Sequence, residues 1–157
     1  MTGFAVRHWT EDGKASTMPS ILKKFTKGEI PYSYTNKEHE ANLAKLGENI
    51  YVIEPIKNEE RIAYALCYRY KAYNADKRAG GKLWLDKYKF RNSANPLNPD
   101  GYYFDNPIKI ENSNFRDWYA SSGVAVQGMI KIEDEFIKIL DAIIENKDNN
   151  AKTFYSR

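Results

Sequence analysis

Cysteine, histidine and long apolar runs are the scarce features of this 157-residue chain, and each scarcity narrows what the protein can be. Cys67 is its one cysteine. It cannot close an intramolecular disulfide, and its setting, Ala65-Leu66-Cys67, is that of a small buried hydrophobe, so a reducing, cytoplasmic setting is the expectation. Two histidines, His8 and His39, leave no paired His/Cys spacing for a metal. No stretch approaches the roughly 18 uninterrupted apolar residues of a spanning helix, and Met1-Thr2-Gly3-Phe4 lacks the basic-then-apolar pattern of a signal peptide. Neither a membrane anchor nor a leader is expected.

Catalytic signatures are missing too. There is no nucleophile elbow, and Gly80-Gly81-Lys82 lacks the first glycine and the Ser/Thr of a phosphate-binding loop, so it reads as a turn. Apolar flanks around Cys67 raise a thiol pKa rather than lower it, which argues against a thiol active site. The expectation is a non-enzymatic protein with no catalytic residue, no metal and no cofactor. The fragments Asp86-Lys87 and Lys109 with Glu111 keep a metal-dependent nuclease open as an alternative.

What the chain has in quantity is aromatic side chains, 14% of residues including twelve tyrosines, within a composition (42% hydrophobic, 29% charged) typical of a globular domain. At this length about two-thirds of the unfolded chain's surface is buried in one core. No repeat, low-complexity tract or linker divides it, so a single domain over 1–146 with a polar, frayed tail over 147–157 is expected. Net charge is only +3, but residues 61–91 hold nine Lys/Arg against two Asp, and the rest of the chain is net acidic.

The patterning predicts an α+β fold. Phe4 to Trp9 reads as a strand ending at the turn Glu11-Asp12-Gly13. Ser20 precedes a short helix, Ile21 to Phe25, stopped by Gly28. Thr35 to Leu46 reads as a helix with Thr35 as N-cap, Glu38 as its capping-box partner and Gly47 at its end. Ile50 to Ile53 is a buried strand. Residues 61–73 fit a strand, with Ile62, Tyr64, Leu66, Tyr68 and Tyr70 on one face and Arg61, Arg69 and Lys71 on the other; a helix capped by Asn58 is the alternative, and four tyrosines in ten residues favour the strand. Leu83 to Phe90 suggests another strand, and Asn95 to Gly101 a loop. Tyr102 to Ile110 is a strand interrupted at Pro107 by a bulge or an edge. Asn114 to Gly123 reads as a polar loop, and Val124 to Val126 with Met129-Ile130 as extended. Phe136, Ile137, Leu140, Ile143 and Ile144 define a closing amphipathic helix.

The basic segment interleaves cations with rings. Arg69, Lys71, Lys77, Arg78, Lys82, Lys87, Lys89 and Arg91 alternate with Tyr68, Tyr70, Tyr73, Trp84 and Tyr88, pairing charges for phosphates with planes for base stacking. The same pattern also describes a sheet with tyrosines packed inside and cations solvated. Of the tryptophans, Trp9 closes the first strand, Trp84 follows the Gly-Gly turn and Trp118 stands in the polar loop. Two of them converging would sandwich a planar ligand.

The order of elements resembles the PUA-like superfamily, in particular its EVE and YTH branch of modified-base readers. The similar features are the strand Phe4 to Trp9, the helices after it, the strand Ile50 to Ile53 with the basic strand that follows, Tyr102 to Ile110, and the closing Val126-Gln127-Gly128-Met129-Ile130-Lys131-Ile132 leading into Phe136 and Leu140. The resemblance implies a small mixed β-barrel or curved sheet flanked by helices, which accepts an extruded modified base in an aromatic pocket. It further implies a nucleic-acid partner, DNA favoured over RNA, and a fused or associated AAA+ GTPase/nuclease of the McrB type. In that reading Trp84 and Trp118 stack the base, His8, Trp9, Tyr119, Ser121 and Ser122 line the pocket, and the cations of residues 69–91 hold the backbone. A protein–protein interaction module of a phage or defence system is the rival, because Tyr-rich surfaces also form protein hot spots.

Overall fold

The computed structural model describes residues 3–8, 18–56, 62–79, 88–122 and 128–154, with the backbone alone at 18, 19, 79 and 88. Its elements run β1 (Gly3–Val6), α1 (Met18–Thr26), β2 (Tyr32–Thr35), α2 (Glu38–Ala44), β3 (Asn49–Ile56), β4 (Ala63–Lys71), β5 (Asn74–Ala79), β6 (Tyr88–Ser93), β7 (Gly101–Lys109), α3 (Ser113–Ser121), β8 (Met129–Lys131), α4 (Asp134–Glu145) and β9 (Lys152–Thr153). The fold is α+β, as expected. One sheet has six strands in the order β8-β1-β3-β4-β7-β9, the other three in the order β2-β6-β5, and neither closes on itself among the described residues. β1 and β3 are parallel, and the other pairs are antiparallel.

Alternation along β1 and β3 builds the core on both faces of the large sheet. Phe4, Val6, Ile50 and Val52 point to the side covered by Ile21, Leu22 and Phe25 of α1 and Ala44 of α2. Ala5, Tyr51 and Ile53 point to the side covered by Phe115 and Tyr119 of α3 and by Phe136, Ile137, Leu140 and Ile144 of α4. α4 carries the predicted amphipathic stripe, and each of its buried side chains contributes about 1.5–3 kcal/mol. The small sheet lies on the α1/α2 side: α2 packs along β5 and β6, and the Ser33 and Tyr70 hydroxyls meet at 2.5 Å.

Residues 63–71 form a strand, which excludes the helical alternative, but the predicted faces of that strand are corrected. Pairing of β4 with β7 slips between Leu66 and Tyr68, where Cys67 stands opposite the four residues Phe104 to Pro107. A bulge resets the two-residue period. Tyr64 and Leu66 therefore pack towards α3 and α4, whereas Cys67, Tyr68 and Tyr70 pack towards α1. Burial pushes the Cys67 thiol well above its usual range, in keeping with an inert side chain. The bulge expected at Pro107 is this same irregularity.

Three further expectations are corrected. Thr35 is the last residue of β2 rather than an N-cap; its hydroxyl accepts from the Lys37 N–H in a tight turn, and α2 begins at Glu38. The segment around Trp118 is the helix α3, capped by the Asn112 side chain accepting from the Phe115 N–H at 2.9 Å. The tail is tied down as far as Phe154: β9 pairs with β7, and Phe154 is buried against Phe25 and Tyr103. β2 and β5 have no counterpart among the predicted strands. Glycines end the first two helices as expected, with positive φ at Gly28 and Gly47. The strand around Leu83, the Gly80-Gly81 turn and Val124 to Val126 lie outside the described residues.

Candidate nucleic-acid interface

β2 follows Pro31 and reads Tyr-Ser-Tyr-Thr, so its two tyrosines point to one face and its two hydroxyl residues to the other. Register with β6 places Tyr34 opposite Arg91, and β5 adds Asp76 opposite Arg91 and Arg78 opposite Lys89. One face of the small sheet thus gathers Tyr32, Tyr34, Asp76, Arg78, Lys89 and Arg91. α2 covers the other face, where the Asn92 side chain donates to the Ala41 carbonyl at 3.1 Å.

Cations and rings on the first face are interdigitated. The Arg91 guanidinium carbon lies 4.6 Å from the Tyr32 ring centre and the Lys89 ammonium 5.5 Å from that of Tyr34. The two rings meet edge to face at 5.7 Å. The order along the surface is Tyr32, Arg91, Tyr34, Lys89, and cation–π contacts of this kind contribute about 0.5–2 kcal/mol each. Among the described residues of this face, three cations stand beside one carboxylate, Asp76. Tyr34 and Lys89 are buried, whereas Tyr32, Arg78 and Arg91 are half-buried.

His8, just past the end of β1, borders this face: its ring stands edge-on to Tyr32 at 5.4 Å. The Tyr68 hydroxyl donates to the Tyr32 carbonyl at 2.8 Å, and His8 Nδ1 lies 2.6 Å from the same hydroxyl oxygen. The phenol has one proton and gives it to the carbonyl, so Nδ1 carries the hydrogen and donates to Tyr68. His8 Nε2 is then a bare acceptor, buried and without a hydrogen-bond partner. Burial, with a smaller contribution from the nearby Lys24 charge, pushes the His8 pKa down to about 4, which keeps the ring neutral.

Among the described residues, the predicted pocket residues do not converge on one place. Trp118 is half-buried in α3, stacked on Phe136 at 4.8 Å, on the face of the large sheet opposite to His8. Tyr119 is buried beside Tyr64 and Phe115, its hydroxyl without a partner and its phenol pKa raised by burial. Ser121 and Ser122 hydroxyls donate to the carbonyls of Trp118 and Tyr119, closing the end of α3. Trp9 and Trp84 lie outside the described residues.

The predicted basic stripe is likewise divided. Arg69 turns towards α4 and pairs with Asp141 at 2.7 Å. Lys71, at the other end of the sheet from His8, faces Asp100 at 3.5 Å. Lys77 is exposed on β5 but alternates away from Arg78, Lys89 and Arg91. Lys82 and Lys87 lie outside the described residues. Reasoning from the sequence missed Tyr32 and Tyr34, although Pro31-Tyr32-Ser33-Tyr34-Thr35 carries a period-two strand signal. His39 is exposed on α2. Among the described residues no group of three or more His, Cys, Asp or Glu is placed to hold a metal ion, and no helix is long and apolar enough to cross a membrane.

No protein-family model matches the chain, and no curated protein and no solved structure matches it either.

Proposed function

We propose that this chain is a nucleic-acid-binding module whose contact surface is the cation–tyrosine face of the small sheet. The observation that carries the reading is the alternation of Tyr32, Arg91, Tyr34 and Lys89 on that face, with Arg78 alongside. Arg78 and Arg91 neutralise phosphates, and Tyr32 offers a plane for a base, a contact that contributes about 1–3 kcal/mol per stacked base. The finer reading is recognition of a modified base in DNA by a PUA-like domain, which the order of elements supports.

Fluorescence anisotropy with matched duplexes, unmodified or carrying N6-methyladenine or 5-methylcytosine, tests both levels at two salt concentrations without magnesium. Binding that weakens steeply with salt is expected, together with a preference for one modified duplex that persists at the higher salt. Salt-sensitive binding without preference removes the modified-base reading and leaves the surface. Absence of binding at low salt overturns the whole proposal.

A further inference from the structure

At the end of the large sheet remote from His8, three segments converge on a groove of about 330 Å³. Lys45, Leu46 and Gly47 follow α2, Ala72 and Tyr73 form the corner between β4 and β5, and Asn95, Asn98 and Asp100 belong to the loop before β7. Main-chain bonds pin these walls together: the N–H groups of Lys71, Ala72 and Tyr73 donate to the carbonyls of Asp100, Glu48 and Ser93, each at 2.9 Å. The groove is therefore preformed, and its volume is that of a site for one or two side chains or a small ligand.

Exposed apolar side chains stand in its lining, at Leu46 and Tyr73, and at Leu97 in the loop that supplies Asn95 and Asn98. Leu46 is 73% exposed, Tyr73 59% and Leu97, in the turn between Asn95 and Asn98, 93%. These are three of the five large exposed hydrophobic side chains among the described residues, and they stand on the three converging segments. Clustered exposed apolar groups with a polar surround mark recognition surfaces. Leucine neither stacks on a base nor bonds to a phosphate, so the groove suits a protein rather than a nucleic acid. Tyr73 is the kind of residue that anchors protein interfaces.

The charges narrow the occupant further. Two ammonium groups, Lys45 and Lys71, border the groove against the one carboxylate of Asp100. The Lys71–Asp100 contact is 3.5 Å between half-exposed side chains, an arrangement of little strength that an incoming carboxylate can replace. The side-chain amides of Asn95 and Asn98 provide donors and acceptors suited to a peptide backbone. We propose that this groove docks a short segment of a partner protein in which one apolar side chain, seated between Leu46 and Tyr73, is flanked by Asp or Glu. The site uses none of the residues of the cation–tyrosine face and stands or falls independently of it.

A phage-displayed library of random twelve-residue peptides, selected on the immobilised full chain, is the test. Enriched peptides are expected to share an apolar residue next to Asp or Glu and to shift the backbone amide resonances of Leu46, Tyr73 and Asn98. The synthetic peptide should bind Tyr73→Ala or Leu97→Ser about tenfold more weakly, Lys45→Glu more weakly still at low salt, and Arg91→Gln unchanged. Thermal melting checks that each variant is folded, and the two separate apolar variants guard against loss of one. No enrichment, enrichment of basic or charge-free sequences, or resonance shifts elsewhere overturns the proposal. So does an oligothymidylate that produces the same shifts, because the groove then belongs to a nucleic-acid surface.

Discussion

Arg69 and Asp141 meet at 2.7 Å between the centre of the large sheet and the helix that covers it, each with only 16% of its side chain exposed. The same carboxylate oxygen accepts from the Tyr51 hydroxyl at 2.6 Å, and the guanidinium lies 5.1 Å from the Tyr102 ring centre. Burial and the Asp141 carboxylate together raise the Tyr51 phenol well above its usual range. A cation in the basic segment thus serves to dock α4, through a network in which each polar partner depends on the others.

Removing Asp141 leaves the Arg69 guanidinium partly buried without its ion-pair partner and the Tyr51 hydroxyl without its acceptor. Asp141→Ala is expected to lower stability by about 1–3 kcal/mol in urea unfolding, and a double-mutant cycle with Arg69→Ala should return a positive coupling energy. Nucleic-acid affinity should be unchanged in both variants, since the pair lies on the α4 side.

On the small sheet the expectation is reversed. Arg91→Gln and Arg78→Gln should weaken nucleic-acid binding for all sequences alike, each lowering the slope of log affinity against log salt by about 1. Tyr32→Ala should lose about 1–3 kcal/mol with little change in slope, and Tyr32→Phe should retain most of it. Anisotropy titrations across a salt series separate the two behaviours. Equal affinities for wild type and Arg91→Gln remove this face from the interface.

His8 makes stability depend on pH. Its folded pKa of about 4 lies below the ordinary value of 6.5, so the unfolded chain binds the extra proton first as pH falls. Stability is therefore intact above pH 6.5 and declines between 6.5 and 4, by about 3 kcal/mol over that window. Urea midpoints at pH 7 and pH 5 measure it, and His8→Gln should flatten the difference. An equal decline in the variant would place the sensitivity in other groups.

The C-terminal segment belongs to the core. Phe154 meets Phe25, Tyr68 and Tyr103 with ring centres between 4.9 and 6.4 Å. Phe154→Ala should cost about 3–5 kcal/mol in chemical denaturation. Gly101, opposite Tyr70 in β4, has space for no side chain: a Cβ there would stand 2.9 Å from the Tyr70 Cα and closer still to the Arg69 carbonyl. Gly101→Ala should thus separate β7 from β4 at its start and cost about 1–3 kcal/mol, with the loss seen first in amide exchange of β7.

Periodicity and punctuation alone determined much of the protein. The stripe from Phe136 to Ile144 specified α4, the β-branched run from Ile50 to Ile53 specified a central strand, and Gly28 and Gly47 specified where two helices stop, because these signals depend on neighbours within a few residues. Tertiary structure decided the rest. A bulge at Cys67 moved Tyr68 and Tyr70 to the face opposite the one their spacing predicts, since a single extra residue in one strand inverts everything beyond it. Asn112 as a cap turned a polar stretch into α3, with Phe115, Trp118 and Tyr119 finding a surface to cover. The partners of Lys89 and Arg91 proved to be Tyr34 and Tyr32, more than fifty residues away. Pairing of β2 with β6 brought them together, and strand pairing across that distance leaves no mark in local sequence.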